Sequence, residues 1–403
     1  MNLAQHEVVI VGGGLVGASL AIALDRIGVE AALVEAAPAG ALPPVFDERN
    51  LSLAEATVNA LAALGVMGRL RAPTAPIRRI HVSRRGDFGR ARFEAADYGR
   101  EAFGQVVVAR DFGEALEARL AELRGLVRYR PARCVAVGAD DGEGRELRLE
   151  TPAGERRLRA RLLVAADGTA SAVREALGIE AERHDYDQTL FVTRARAERA
   201  PDGTAWERLG PHGPTALLPR GDRHWGVVHG VPTAEAPAVA ALDEAAFLAR
   251  LQDAFGWRVG RFLACGPRSA YPLARVVARR TTAPRAVLVG NAAQTLHPIG
   301  AQGFNLGLRD ALTLAELIEA GRGDPGAPAL LEAYVRRRHE DRTRTLAFSH
   351  GLARLSADEA LLLRPLRSLG LVALDRIPAL QAWLVGGAMG YRGDVPALCR
   401  GGA

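Results

Sequence analysis

The chain has 403 residues, 48% of them hydrophobic and 24% charged, which is typical of a globular protein that buries a large core. Its 52 basic residues are all arginines, which excludes a Schiff-base lysine and the lysine of a phosphate-binding P-loop. The arginines are spread along the chain among 46 acidic residues, so the net charge is +6 and no basic block forms. We therefore expect no nucleic-acid partner.

The N-terminal segment is "EVVIVGGGLVGASLAIALDRIGVEAALVEAA". Its pattern predicts a strand, a glycine turn, a helix and a second strand. Residues 8–11 form the continuous apolar run of a buried parallel strand. Gly12, Gly14 and Gly17 then give G-x-G-x-x-G, which allows a tight turn, close approach of a pyrophosphate, and close helix–strand packing. Glu35 ends the second strand, where it can accept hydrogen bonds from a ribose diol. The unit predicts a site for NAD or FAD without distinguishing them.

The next segments extend this α/β pattern. "FDERNLSLAEATVNALAALGV" predicts a helix capped by Asp47 or Asn50, with Arg49 at its start, where the guanidinium binds a phosphate or simply lies on the surface. "GQVVVARDFGEALEARLAEL" predicts a strand and a helix with Asp111 as N-cap. "RLLVAADGTASAVREALG" predicts another buried strand, which ends shortly before Asp167.

The sequence pattern changes between about residues 179 and 273. Short stretches of alternating hydrophobicity there, such as "TALLPRGDRHWGVVHGV", predict an inserted antiparallel sheet. "RAVLVGNAAQTLHPIGAQGFNLGLRDALTLAELIEA" then returns to a buried strand over 286–289, a polar loop and a helix beginning near Gly303. Unpaired N–H groups at that helix N-terminus suit the pyrimidine oxygen of a flavin. The apolar stretch "LLLRPLRSLGLVALDRIPALQAWLVGGAMG" predicts helices that lie on a lipid surface or helices that cap the core.

Three motifs together resemble those of the para-hydroxybenzoate-hydroxylase-like flavoprotein monooxygenases. They are the glycine turn at Gly12, "ADGTASAVR" around Asp167, and "GNAAQTLHPIGAQGFNLGLRD" from Gly290. The last motif resembles in particular the 2-octaprenyl-6-methoxyphenol hydroxylase branch of the ubiquinone-biosynthesis hydroxylases. The chain departs from the family's G-D-A-A-H with "GNAAQ", and it has Gly300-Ala301 where that branch has Ala-Gly. The resemblance covers nearly the whole chain.

The resemblance implies an α/β fold with a Rossmann-like FAD-binding domain, an inserted, mainly antiparallel β-sheet substrate domain and C-terminal helices. The expected boundaries are 1–75, 101–178 and 276–345 for the FAD-binding domain, 76–100 and 179–275 for the substrate domain, and 346–403 for the C-terminal helical segment.

Two separate glycine-rich loops are expected because FAD is long and its two ends need different parts of the chain. The resemblance implies that the cofactor is bound by Gly12, Gly14, Gly17, Glu35, Arg49, Gln105, Arg110, Asp167, Asn291, Gly300, Gly303, Phe304 and Asn305. We call the polar loop that begins at Gly290 and leads into the following helix the late loop. His297, which precedes a proline in the late loop, is either a catalytic acid–base residue or a residue that positions the loop through a backbone hydrogen bond.

The implied reaction is hydroxylation of an aromatic ring, in which NADH or NADPH reduces FAD transiently and O2 is activated as a C4a-hydroperoxyflavin. The expected substrate is a polyprenylated methoxyphenol of ubiquinone biosynthesis. A phenol supplies its own electron-rich carbon, so we expect no metal, and the isolated Cys134, Cys265 and Cys399 exclude a paired dithiol. Two alternatives remain open: a monooxygenase of a soluble aromatic, and a non-catalytic flavin-binding subunit of a biosynthetic complex.

Besides the polyprenyl phenol and O2, the expected partners are other ubiquinone-biosynthesis proteins or the membrane surface. The isolated thiols suit a reducing compartment, and "MNLAQHE" lacks the basic start of a secretion signal, so the expected location is the cytoplasm. If the C-terminal helices lie on lipid, the protein is peripheral at the inner membrane.

Overall fold

The computed structural model describes residues 3–43, 47–321, 323–360 and 363–401. The strands are, in chain order, β1 (Ala4–Val11), β2 (Ala31–Val34), β3 (Asn50–Ala54), β4 (Ala75–Pro76), β5 (Arg79–Arg84), β6 (Arg90–Glu94), β7 (Gly104–Val108), β8 (Leu126–Tyr129), β9 (Arg133–Asp140), β10 (Arg145–Thr151), β11 (Gly154–Ala165), β12 (Ala181–Ala197), β13 (Thr204–Leu209), β14 (Thr215–Pro219), β15 (Trp225–Pro232), β16 (Phe262–Cys265), β17 (Ser269–Ala278), β18 (Thr282–Ala283), β19 (Ala286–Leu288) and β20 (Gln294–Thr295).

The α-helices are α1 (Leu15–Arg26), α2 (Glu55–Ala63), α3 (Ala109–Leu120), α4 (Ala172–Ala176), α5 (Ala236–Ala241), α6 (Glu244–Phe255), α7 (Gln302–Gly321), α8 (Pro328–Ala357), α9 (Leu363–Arg376) and α10 (Pro378–Ala388).

The first sheet has the order β18-β19-β11-β1-β2-β8, and the strands from β19 to β8 are parallel. The predicted apolar runs in β1, β11 and β19 are confirmed as its central strands. Val8 and Ile10 pack into a core with α1, α3 and α7 on one face of the sheet. Val9 and Val11 pack on the other face, in a cluster that contains Leu147 of the β9–β10 hairpin. Burial on both faces explains why these strands are continuously apolar.

The second sheet has the order β20-β17-β12-β15-β14-β13-β5-β6, and only its β13–β5 pairing is parallel. The prediction of an antiparallel sheet after residue 179 is confirmed, and residues 76–100 contribute β5 and β6 to it. Phe191 of β12 packs on Phe247 of α6, so its neighbours Leu190 and Val192 project from the other side. We call this other side of the sheet the inner face.

A third, small sheet corrects the prediction of a capped helix at Asp47 or Asn50. Residues Asn50–Ala54 form β3, which pairs with β7, and α2 begins only at Glu55 without a side-chain cap. Asp47 instead accepts the backbone N–H of Arg49 at 2.9 Å. Pairing with a strand some fifty residues away, which a local pattern does not reveal, overrides the apparent capping signal.

The predicted N-cap role of Asp111 is also wrong. Helix α3 begins at Ala109, so Asp111 lies inside its first turn. The Asp111 carboxylate accepts the backbone N–H groups of Arg71 and Ala72, at 3.1 and 3.2 Å, and so ties the preceding loop to the helix. A carboxylate in the first turn still complements the helix dipole, which explains the misleading signal.

Helices α7 and α8 are joined by a network of buried charges. Arg309 donates to both oxygens of Asp341, at 2.7 and 3.1 Å. Arg338 donates to Asp341 at 2.8 Å and to Asp310 at 2.7 Å. Asp310 also accepts the side-chain amide of Gln294 at 2.6 Å, which anchors the loop that leads into α7.

The C-terminal helices α9 and α10 meet at an angle of 89°. Within the described residues no single helix is long and apolar enough to cross a membrane, although this bent pair has the necessary length and composition together. Leu371 and Leu374 of α9 and Val385 of α10 join a core cluster with Phe93 of β6. One side of the pair therefore caps the second sheet, while the other side exposes apolar side chains to solvent.

Gly17 provides a test of how closely α1 packs on the glycine turn. An alanine Cβ there would lie 1.9 Å from the Gly12 carbonyl oxygen, so Gly17→Ala must displace the helix. We expect the free energy of unfolding, measured by urea denaturation, to fall by about 1–3 kcal/mol. Gly351→Ala in α8 is the matched control, because no atom lies within 4 Å of that Cβ position. Its stability should rise by up to about 1 kcal/mol; equal stabilities of the two variants would contradict the packing.

Candidate functional site

The predicted cofactor residues meet at the carboxyl edge of the parallel sheet. Gly12 follows β1, Glu35 follows β2, Asp167 comes shortly after β11, and Asn291 comes shortly after β19. Backbone hydrogen bonds across neighbouring chain segments, such as Gly12 N–H to the Val34 carbonyl at 2.9 Å, fix where these loops begin. This edge is where open α/β sheets bind their ligands.

The glycine turn is shaped by backbone that approaches too closely for any side chain. Gly12 has φ +109°, and a Cβ there would lie 2.4 Å from the Ala166 carbonyl oxygen. Gly14 is the N-cap of α1 and its carbonyl accepts the N–H of Ala18 at 2.9 Å. Together with the close contact at Gly17, this leaves the N-terminus of α1 open to a phosphate.

Glu35 is held at the turn by two backbone donors. One carboxylate oxygen accepts the N–H of Gly13 at 2.7 Å, and the other accepts the N–H of Ala37 at 2.6 Å. Each carboxylate oxygen has a second lone pair, so the group can still accept from a ribose diol.

Asp167 closes the turn after β11. Its carboxylate accepts the hydroxyl of Ser171 at 2.5 Å and the backbone N–H of Val173 at 3.1 Å. Arg174, which the sequence motif includes but to which we assigned no role, is buried and donates to the carbonyl of Ala292 at 3.0 Å. It thereby ties the Asp167 turn to the late polar loop.

The late loop and the start of α7 leave open space beside the glycine turn. Gly290 has φ +58°, and a Cβ there would lie 2.9 Å from Val16 of α1. Gly303 has no atom within 4 Å of its Cβ position, and Asn291 is exposed. Gly300 and Ala301 both have positive φ, +71° and +52°. The departure from Ala-Gly therefore puts an alanine where glycine would be unstrained.

Asn305 connects α7 to the small sheet. Its side-chain oxygen accepts the N–H of Ala54 at 2.9 Å, and its amide donates to the carbonyls of Ser52 at 3.0 Å and Ala301 at 2.6 Å. Both amide hydrogens are used, so the side chain shapes the loop next to β3. The neighbouring Phe304 packs edge-on against Phe112 of α3, with ring centroids 5.5 Å apart.

Gln105, Arg49 and Arg110 lie on or beside the strands of that small sheet. Gln105 accepts the hydroxyl of Thr74 at 3.0 Å. Arg49 forms an ion pair with Asp47 at 2.7 Å and lies 4.4 Å from the centroid of the Tyr271 ring. The exposed Arg110 forms an ion pair with Glu48 at 3.2 Å. The structure thus places all three beside acceptors or donors of the protein itself.

His297 is buried in the late loop and held at both ring nitrogens. Its Nδ1 accepts the N–H of Ile299 at 3.2 Å, so the ring proton resides on Nε2 and is donated to the side-chain oxygen of Gln188 at 3.1 Å. The ring also packs edge-on against Tyr186. Burial lowers the pKa of His297 to about 4, and the ring is neutral at pH 7. This geometry favours the positioning interpretation over the acid–base one.

The residues present fit FAD. The glycine turn and Glu35 suit the ADP half, while the open space at Gly303 and the N-terminus of α7 suit the flavin half. Gln302, the first residue of α7, has a buried side-chain oxygen without a hydrogen-bond partner in the described part of the chain. An unsatisfied buried acceptor at this position is consistent with a missing donor from a bound group.

The pKa of His297 generates a pH prediction. A folded pKa of about 4, below the ordinary value of 6.5, means that the unfolded state binds the proton more readily, so stability is lost as the pH falls from 6.5 towards 4. We expect His297→Asn to reduce the loss of unfolding free energy between pH 7 and 4.5 by on the order of 2 kcal/mol. Urea denaturation at both pH values measures this loss.

His339→Asn, at an exposed position of α8, is the matched control for the substitution of histidine by asparagine. An acid-induced loss in His297→Asn equal to that of the wild type would contradict the neutral, buried ring.

Comparison with known proteins agrees with this geometry. Residues 5–349 match the family described as FAD binding domain. The chain is 34% identical to the ubiquinone hydroxylase UbiL of Rhodospirillum rubrum, over 98% of this chain and 92% of that protein. It is 31% identical to the 3-demethoxyubiquinol 3-hydroxylase of Escherichia coli, over 95% of this chain and 98% of that protein.

Solved structures show the same fold. The p-nitrophenol 4-monooxygenase PnpA of Pseudomonas putida has a TM-score of 0.78 at 19% identity, over 97% of this chain and 100% of that chain. PqsL of Pseudomonas aeruginosa, a probable FAD-dependent monooxygenase, has a TM-score of 0.73 at 25% identity, over 91% of this chain and 99% of that chain. The chain therefore belongs to the FAD-binding-domain family and is an FAD-dependent aromatic hydroxylase, related to the ubiquinone-biosynthesis hydroxylases.

Proposed function

We propose that the protein hydroxylates the ring of a polyprenylated methoxyphenol in ubiquinone biosynthesis, with NADH or NADPH as transient reductant and O2 as co-substrate. Support comes from the extended similarity to two hydroxylases whose names refer to ubiquinone or demethoxyubiquinol. When bound, FAD supplies the hydride-accepting and oxygen-activating chemistry. The protein's own residues bind and orient the phenol and exclude water from it.

The phenol ring would lie between the late loop and the inner face of the second sheet. Gln188 of β12 contacts His297 and so brings that face to the loop. Further along the inner face, Val192 and Val228 are paired across β12 and β15, and both are partly exposed. A wall of this kind accommodates an aromatic ring and its apolar substituents.

The observation that carries the lipid part of the proposal is the outward side of α9 and α10. Leu366 is 62% exposed and Trp383 is 57% exposed, and they share this surface with the exposed Leu369, Val372, Ile377 and Leu380. Arg364 and Arg376 are the charged residues among the exposed positions of the pair. An apolar surface edged by arginines matches the interface of an anionic bilayer, where a polyprenyl substrate resides.

The tail generates the main test of the proposed function. Each buried methylene-sized group contributes about 0.8 kcal/mol, so a short isoprenoid tail should strengthen binding by orders of magnitude. We expect tailed phenols to stimulate NAD(P)H oxidation with close coupling to hydroxylated product, and tail-less phenols to bind weakly and release peroxide. Oxygen uptake, product yield and peroxide are measured for both kinds of phenol.

Equal affinity and coupling for the tail-less phenol would overturn the lipid substrate in favour of a soluble aromatic. Absence of stimulation by any phenol would overturn the phenolic substrate class as a whole.

Binding to lipid tests the C-terminal surface separately. The wild-type holoprotein should co-sediment with vesicles of phosphatidylcholine and phosphatidylglycerol, whereas the double variant Leu366→Ser, Trp383→Ser should remain in the supernatant. Trp257→Ser is the matched control, because Trp257 is 67% exposed but lies outside α9 and α10. If the double variant sediments like the wild type, these two helices do not form the lipid-binding surface.

A further inference from the structure

The inner face of the second sheet contains a row of paired residues that is apolar except at one position. The pairs run from Val192 to Val228, from Val228 to Ala216, from Ala216 to Glu207, and from Glu207 to Val82. Directly paired residues on neighbouring strands project from the same face of a sheet. The carboxylate of Glu207 is therefore the one polar group in this row.

The neighbours of Glu207 along β13 settle which way it points. Trp206, the residue before it, packs against Phe255 of α6 on the outer side of the sheet. Ala205, two residues before Glu207, packs in the cluster that contains Val385 of α10. Because successive side chains alternate, Glu207 shares the inner side with Ala205.

Nothing in the described part of the chain pairs with this carboxylate. Burial among apolar groups raises the pKa of Glu207 to about 7, and no nearby arginine opposes the shift. Two buried arginines of adjoining elements are engaged elsewhere, because Arg84 of β5 and Arg367 of α9 both contact Asp87, at 3.4 and 3.2 Å. Glu207 is nevertheless partly exposed, so a ligand on the inner face can reach it.

An unpaired acid in an apolar wall destabilises the fold, since a buried polar group without a partner loses its hydrogen bonds to water. Such a position is explained if the partner is supplied by a ligand. We propose that Glu207 contacts the substrate, accepts a hydrogen bond from its phenol hydroxyl, and takes the hydroxyl proton as the ring is attacked. This inference rests on the proposed function and adds to it the residue that orients the ring.

The proton balance of the step is simple. The phenol O–H bond breaks as an O–H bond forms on the carboxylate, and the oxygen electron pair becomes available to the ring carbons ortho and para to it. The pKa of Glu207, raised to about 7, is closer to the pKa of a phenol than the pKa of an ordinary glutamate is. This smaller difference in pKa favours sharing of the proton. No further reductant or oxidant is needed for this transfer.

The test compares a tailed phenol with its O-methyl ether, which has the same shape but cannot donate. Binding to the oxidised holoenzyme is followed by the change in flavin absorbance. We expect the wild type to prefer the phenol by about tenfold or more, as for a hydrogen bond to a charged group. Glu207→Gln should lower this preference several-fold and reduce kcat, and Glu207→Leu should abolish the preference.

Glu182→Gln, an exposed glutamate of β12 in the same sheet, is the matched control and should retain the wild-type preference. The FAD content of every variant is measured, which separates loss of discrimination from loss of folding. If the Glu207→Leu variant does not fold, the nearly isosteric Glu207→Gln variant provides the decisive result. An undiminished preference in the Glu207 variants overturns the role of Glu207 while leaving the proposed function standing. A wild type that no phenol stimulates removes both.

Discussion

The late loop depends on the four buried charges between α7 and α8. Burial by itself would raise the pKa of Asp341, but Arg309 and Arg338 more than offset this and hold it below the usual value. The group stays ionised, and each acid is matched by a guanidinium. Loss of one partner in such a network leaves an uncompensated charge, which typically costs about 3–5 kcal/mol. Because Asp310 also binds Gln294, the network fixes the loop that contains His297.

The parts of the fold that could be predicted are those whose requirements are local. A strand buried on both faces must be apolar, and a turn whose backbone touches its neighbours must be glycine, so residues 8–11, Gly12 and Gly17 could be interpreted directly. The short β3 could not, because its strand character comes from pairing with β7. The prediction for Asp111 failed for a related reason, because acidic residues are favoured both at the N-cap and in the first turn of a helix. Only the start of α3 at Ala109 shows that Asp111 lies in the first turn.

The same distinction applies to the site. The positions of Glu35 and Asp167 follow from the ends of strands that the sequence already indicates. The partners of His297 do not, because Gln188 is more than a hundred residues away in the chain and meets it only through the second sheet. Glu207 carries no local signal either. Its meaning appears only when the pairing of β5, β13 and β14 shows that every neighbour in its row is apolar.

The inner face must reconcile two opposite requirements. The proposed substrate, with its hydrocarbon tail, and a shielded flavin would both require an apolar wall that keeps water out, yet such a wall cannot by itself fix the orientation of a ring. One acceptor placed in that wall solves the problem, because a ring that presents its hydroxyl elsewhere leaves the carboxylate unpaired. The stability lost at Glu207 in the free protein is thus recovered only when a correctly oriented phenol is bound. Helices α9 and α10 also have two apolar sides, since one packs against the second sheet and the other exposes leucines and a tryptophan to solvent.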